Sequence, residues 1–179
     1  MQQIQIVAYG KLKERYLRDA CAEYEKRLSR FCKFQCVELE PIALPEKPSE
    51  KTIAQALEKE GQALLKYRKG WTIALCIEGK QIDSPALARQ LQQAAVGGTQ
   101  AVTFWIGSSY GLSPAVKQAA DFRLSISPMT FPHQLARVML LEQIYRSYQI
   151  LGGTPITNSS MFENLLHQKA SFLFSFNRQ

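Results

Sequence analysis

Two continuous apolar runs, Trp71-Thr-Ile-Ala-Leu-Cys-Ile77 and Ala101-Val-Thr-Phe-Trp-Ile106, constrain this chain more than anything else in it. Glycine bounds both: Gly70 and Gly79 around the first, Gly98 and Gly107 around the second. A run of this kind with no polar alternation is a strand covered on both faces. Strands covered on both faces belong to parallel sheets, whose connections must cross back over the sheet as helices. The remaining strand signals fit the same frame. Gln3-Ile-Gln-Ile-Val-Ala-Tyr9 alternates, then turns apolar and stops at Gly10; Phe34-Gln-Cys-Val-Glu-Leu39 and Phe122-Arg-Leu-Ser-Ile126 are two more. Helical spacing fills the intervals.

The first helix carries Leu17, Ala20/Cys21, Tyr24, Leu28 and Phe31 at three- and four-residue steps. Pro41, Pro45 and Pro48 stiffen the next connection, and Ser49 caps a helix with Ala54, Leu57, Gly61 and Leu64/Leu65 on one side. Ser84-Pro85 starts a third helix running to about Ala95, with serine as its cap and proline at its first position. A short helix over Pro114–Ala120 precedes the last strand, and a final helix opens at Pro132-His133. Five strands alternating with helices make an α/β class with a largely parallel sheet and helices on both faces. At 179 residues the expectation is one domain with a core of its own.

No amino-terminal run is apolar enough for a leader, and none reaches membrane-spanning length, so the expected location is the cytoplasm with no membrane partner. Cys21, Cys32, Cys36 and Cys76 show no C-x-x-C spacing and read as reduced thiols, so no metal is expected. The net charge of +7 is unevenly placed. Lys11 to Lys33 holds eight basic and four acidic residues, and Glu38 to Glu60 holds six acidic and three basic. Such a segment is either a face for a polyanion or a solvated helix laced with ion pairs; charge alone leaves both open.

Chemistry concentrates at three strand ends: Leu75 to Lys80, Gly107 to Leu112, and Ile126 to Phe131. In a parallel sheet these ends share one edge, where ligands bind. Gly107 and Gly111 permit positive φ and a close approach of backbone to a ligand. Their loop, Gly-Ser-Ser-Tyr-Gly, is neither a dinucleotide fingerprint nor a P-loop, so a phosphate cradle has no support. Ile126 to Phe131 is apolar with small hydroxyls, a lining for an adenine or a thioether. Pro128 and Pro132 fix φ on either side of Met129-Thr130-Phe131. His133 stands at a helix start, where the dipole favours the neutral imidazole, either as proton acceptor or as a structural hydrogen-bonding group. Arg137 and Arg146 are candidates for phosphate contact, with Glu142 one turn before Arg146.

Several motifs in order along the chain resemble one family. They are Val7-Ala-Tyr-Gly-Lys-Leu-Lys13, Glu23-Tyr-Glu-Lys-Arg-Leu28, Ile106-Gly107 with Gly111-Leu112, and Met129-Thr-Phe-Pro-His-Gln134 with Glu142-Gln-Ile-Tyr-Arg146. The resemblance is to the RlmH family, the ribosomal RNA large-subunit methyltransferases H of the SPOUT superfamily, and it spans residues 1–155. It implies an α/β fold with a carboxyl-terminal trefoil knot, built as a homodimer. It implies methyl transfer from S-adenosylmethionine to N3 of a pseudouridine in 23S rRNA on the ribosome. Carried over, the cofactor contacts are Leu75, Gly107, Ile126, Ser127, Pro128, Met129, Thr130 and Phe131, with His133 and Arg137 as catalytic candidates. Basic residues of 11–33, with Arg137 and Arg146, are then expected on the RNA backbone.

The carboxyl end departs from that pattern. The family's Tyr-His-basic ending is matched here by Ile156, Thr157 and Asn158, and the chain runs on to Gln179. Deleting one base from the proline codon of CCN TAT CAC AAA TAG yields Pro-Ile-Thr-Asn-Ser, the sequence of Pro155 to Ser159. A frameshift is therefore the expected origin of 156–179, whose Phe162, Leu165, Leu166 and Phe172 fall at roughly helical spacing. Two functional readings follow: a methyltransferase, or a cofactor-binding ribosome- or RNA-binding protein whose catalysis went with its tail. A nucleotide-binding α/β protein unrelated to methylation is a more distant third.

Overall fold

The computed structural model of the chain describes residues 1–153. The altered ending and the extension read at 156–179 lie outside the described residues. Ten elements alternate: β1 (Gln3–Tyr9), α1 (Arg15–Leu28), β2 (Lys33–Leu39), α2 (Glu50–Leu65), β3 (Trp71–Lys80), α3 (Ser84–Val96), β4 (Ala101–Ile106), α4 (Pro114–Ala119), β5 (Phe122–Leu124) and α5 (His133–Leu151). The sheet order is β2-β1-β4-β3-β5, with every pairing parallel.

Two apolar layers cover the sheet. Ile4, Ile6 and Ala8 of β1, Ile73 of β3 and Val102, Phe104 and Ile106 of β4 pack under α1, α3 and α5. Val7, Tyr9, Ala74 and Trp105 point the other way, against Leu64 of α2 and Val116 of α4. Side chains along each strand alternate between the two faces, and both faces are apolar, which is why β3 and β4 read as continuous runs.

The structure redraws several local boundaries. The cap of α3 is Asp83, whose carboxylate accepts from Ala86 N–H at 2.7 Å; Ser84 and Pro85 are already helical. Ser84 instead donates to Gln143 Oε1 of α5 at 2.6 Å. The buried side of α2 is Ala56, Glu60, Gly61 and Leu64, whereas Ala54 is exposed. Phe31 lies beyond the end of α1 and stacks on Tyr148 of α5. β3 continues through Gly79 to Lys80, and β5 stops at Leu124, short of Ile126. Beyond Leu124 one bond to β3 remains, Ser125 N–H to Lys80 O at 3.1 Å, and the chain then bonds to itself: Ser125 Oγ donates to Ser127 O at 3.0 Å, and Met129 N–H donates to Ser127 Oγ at 3.0 Å. These turn bonds take over from the ladder after Ser125.

Candidate functional site

The three strand ends surround one cavity of about 730 Å³ at the carboxyl edge of the sheet. Leu75 to Glu78, Ile106 to Leu112 and Ser125 to Ala136, apart from Pro128, Gln134 and Leu135, supply the wall, with Lys117 of α4 beside them. The volume falls within the range of small-molecule pockets. Of the cofactor candidates, Leu75, Gly107, Ile126, Ser127, Met129, Thr130 and Phe131 line this cavity. Pro128 is exposed and does not; its neighbour in the wall is Pro132.

Gly107 is fixed by crowding rather than by φ. A Cβ built there would sit 2.2 Å from the Gly111 carbonyl oxygen. Gly111 is the partner that turns the chain, with φ at +84° and its N–H donating to Ser108 O at 2.9 Å. The loop is held from outside by a residue the sequence reading missed. Glu60 of α2 is 5% exposed, and its Oε2 accepts from Ser108 Oγ at 2.7 Å. Its Oε1 accepts from Ile42 N–H at 2.9 Å, tying in the proline connector, and Tyr9 OH donates to its main-chain oxygen at 2.8 Å. Burial and the Glu60 charge push the Tyr9 hydroxyl up to about 12, so it stays a donor. The available signal was Glu60 standing four residues from Ala56 and from Leu64, in line with the buried stripe.

His133 lines the cavity as the first residue of α5. Its imidazole packs over the turn after β1, where a Cβ on Gly10 would lie 3.1 Å from Nε2. Burial, then the charges of Arg137 and Lys13, hold its pKa below the ordinary histidine value, so the ring is neutral near pH 7. Gln134 fastens the same turn by accepting from Lys13 N–H at 2.9 Å.

Arg137 is elsewhere. Its side chain is 2% exposed, pairs with Glu38 of β2 through Nη1, and donates through Nη2 to Gly10 O at 2.7 Å; Nε has no partner. It lies outside the cavity wall, and the expected phosphate contact is replaced by an internal ion pair that anchors α5 to β1 and β2. Arg146 is likewise committed, to Glu142 one turn back, with Nε at 3.0 Å.

In the basic segment Lys11, Arg15 and Arg27 are ion-paired, and Lys13, Arg18, Lys26, Arg30 and Lys33 take part in no salt bridge among the described residues. Lys11 pairs with Glu40, Arg15 with Asp19 and Arg27 with Glu23, while Arg18 donates to the carbonyls of Leu12 and Lys13. Lys26, Arg27 and Arg30 lie at the end of α1 that leads into β2, so they sit at the sheet edge opposite the cavity. The cysteines are free; burial pushes Cys21, Cys32 and Cys36 up to about 11, which makes them unreactive thiols. Among the described residues no group of three metal-ligating side chains occurs, and no helix is long and apolar enough to cross a membrane.

Residues 2–156 match a family model described as "Predicted SPOUT methyltransferase". The ribosomal RNA large subunit methyltransferase H of Bifidobacterium adolescentis is 48% identical over 154 residues, covering 85% of this chain and 97% of that protein. The protein of the same name from Streptococcus thermophilus is 47% identical over the same shares. The chain belongs to the RlmH family of SPOUT methyltransferases. Among solved structures, a probable methylase family protein from Haemophilus influenzae Rd KW20 gives a TM-score of 0.48 at 11% identity, over 86% of this chain and 69% of that one. The family match stops at residue 156, the first position of the departing Ile-Thr-Asn. The all-parallel five-stranded sheet is the α/β architecture expected of an RlmH-type chain.

Proposed function

We propose that this RlmH-family chain transfers a methyl group from S-adenosylmethionine to N3 of a pseudouridine in 23S rRNA on the ribosome. The convergence of three strand ends on one cavity carries the reading. The cavity fits the methyl donor. Leu75, Ile77, Ile106, Leu112, Ile126 and Phe131 give it an apolar wall for an adenine and a thioether, with serine hydroxyls and loop backbone interspersed. When bound, the cofactor supplies an already activated methyl group.

The chain's own residues have two tasks. One is alignment: Gly107 lets the 107–111 loop close on itself, and Glu60 holds that loop through Ser108, so the wall is rigid before ligand arrives. The other is the proton on the imide nitrogen. His133, neutral and facing the cavity, is positioned to receive it, and Arg137 acts behind it by fixing the start of α5 on Gly10. Residues 1–155 act as one SPOUT domain and 156–179 as an extension produced by a frameshift, within a cytoplasmic homodimer. The knot belongs to the same proposal.

Calorimetry with S-adenosylmethionine tests the pocket, and the absence of binding at millimolar cofactor would falsify the proposal. A methyl-transfer assay on ribosomes, comparing this chain with one restored to Tyr-His-Lys at 156–158, tests the ending. A faster restored chain assigns the family tail a part in catalysis; equal rates make it dispensable. Cofactor binding without transfer in either chain would favour an RNA-binding protein that has lost catalysis.

A further inference from the structure

A second, polar cleft of about 870 Å³ lies against the cofactor cavity and shares Glu78 and Lys117 with it. Lys80 from the end of β3 and Arg123 from β5 complete its positive lining. The acids there are already engaged. Glu78 pairs with Lys117, whose hydrogen bond holds its carboxyl below the usual range. Asp121 accepts from Thr72 N–H and Thr72 Oγ1, each at 2.8 Å, and pairs with Arg68 at 3.2 Å. Lys80 and Arg123 are exposed, and neither takes part in a salt bridge among the described residues. The cleft therefore opens with unneutralised positive charge next to an apolar pocket.

That contrast locates the cations that matter. On α1, Arg15 and Arg27 are paired, Arg18 is tied to the carbonyls of Leu12 and Lys13, and Lys26 stands toward the far sheet edge, whereas Lys80 and Arg123 have no acidic partner among the described residues and line a cleft that adjoins the cofactor cavity. Cations on an edge strand also blunt it against pairing with another sheet. Blunting needs only the outer rim of β5, however, and Lys80 comes from β3, the strand inside it.

We propose that this cleft is the phosphate subsite of the RNA substrate: Lys80 and Arg123 hold backbone phosphates, beside the Glu78–Lys117 pair, while the target base enters the adjoining pocket. The inference rests on the RNA methyl-transfer reading and adds to it where the strand runs. Phosphate contacts of this kind set register and orientation, and their loss weakens binding without touching the methyl donor.

The test uses the full chain with purified large ribosomal subunits, measuring subunit affinity across a salt series, S-adenosylmethionine affinity by calorimetry, and methyl transfer. Lys80→Ala/Arg123→Ala and the stronger Lys80→Glu/Arg123→Glu are compared with Lys51→Ala/Lys59→Ala on the exposed side of α2. The cleft variants should bind subunits at least about tenfold more weakly, with the salt slope reduced by about two, and keep cofactor affinity. The α2 control should match the parent chain. Unchanged subunit affinity and slope in both cleft variants would overturn the proposal. So would a parallel loss of cofactor affinity, which would assign these cations to holding the pocket together. If the parent chain binds subunits through the cleft yet transfers no methyl group, the methyl-transfer reading fails and the subsite stands.

Discussion

Replacing Glu60 with alanine should loosen the cofactor loop and the proline connector together. The carboxylate is 5% exposed and accepts two hydrogen bonds, from Ile42 N–H at 2.9 Å and Ser108 Oγ at 2.7 Å. A hydrogen bond to a charged group contributes about 1.5–3 kcal/mol, so the two together come to about 3–6 kcal/mol. Removing a buried charge relieves its desolvation and returns part of this, leaving a net loss of about 2–4 kcal/mol. For a chain of this size each kcal/mol lowers the melting temperature by about 2–4 °C, so a loss near 3 kcal/mol is a drop of about 6–12 °C. Glu60→Gln should fall between, because the amide keeps one acceptor and the Ser108 hydroxyl can turn to accept from its NH₂. Scanning calorimetry gives the melting shift, and titration with S-adenosylmethionine gives the loop's share, expected as weaker cofactor binding in Glu60→Ala and in Ser108→Ala. An alanine variant that melts with the parent and binds cofactor equally well would refute the idea that Glu60 fixes this wall.

Gly107→Ala should abolish cofactor binding, read by the same titration, because the new Cβ would meet the Gly111 carbonyl at 2.2 Å and backbone cannot step aside as a side chain can. Glu38→Ala should destabilise the fold by about 2–3 kcal/mol in denaturant melts, since it strands the buried Arg137 guanidinium with Gly10 O alone, while Glu38→Gln recovers part of the loss. His133 has its pKa lowered in the fold, so it takes up a proton more readily when unfolded. Its contribution to stability is complete above the unfolded value of about 6.5 and is lost as pH falls through the lower folded value. Melting temperature against pH should show that slope in the parent chain and a shallower one in His133→Asn.

The sheet was legible because burial on both faces leaves a simple mark: continuous apolar runs such as 71–77 and 101–106 have few other solutions. Its consequence, strand ends gathered on one edge, is enough to bring Leu75, Gly107 and Ile126 together, and all three line the cavity. Pairing was not legible. Composition shows that 11–33 is basic, but which cations are neutralised depends on where Glu40 and Glu38 fall after β1 and β2 pair in register. Arg137 misled for the same reason, since nothing local says that a cation on α5 will face inward to a carboxylate ninety-nine residues away. Glu60 was hidden because a charged residue within an amphipathic helix reads as solvent-facing unless its partners are known. The cap of α3 fell to Asp83 rather than Ser84 because both residues can cap, and the choice was settled by Ser84 reaching Gln143. Pro128 lay inside a loop whose other members line the pocket, and only the turn at Ser127 shows it facing out.

The central claim is tested most directly by mass spectrometry of large-subunit rRNA after incubation of unmodified ribosomes with this chain and S-adenosylmethionine. The account predicts one added methyl group, on N3 of a pseudouridine, in the chain restored to Tyr-His-Lys at 156–158 and at whatever level the altered ending of the parent chain allows. A methyl group on a ribose or on another base, or none with either chain, would contradict it.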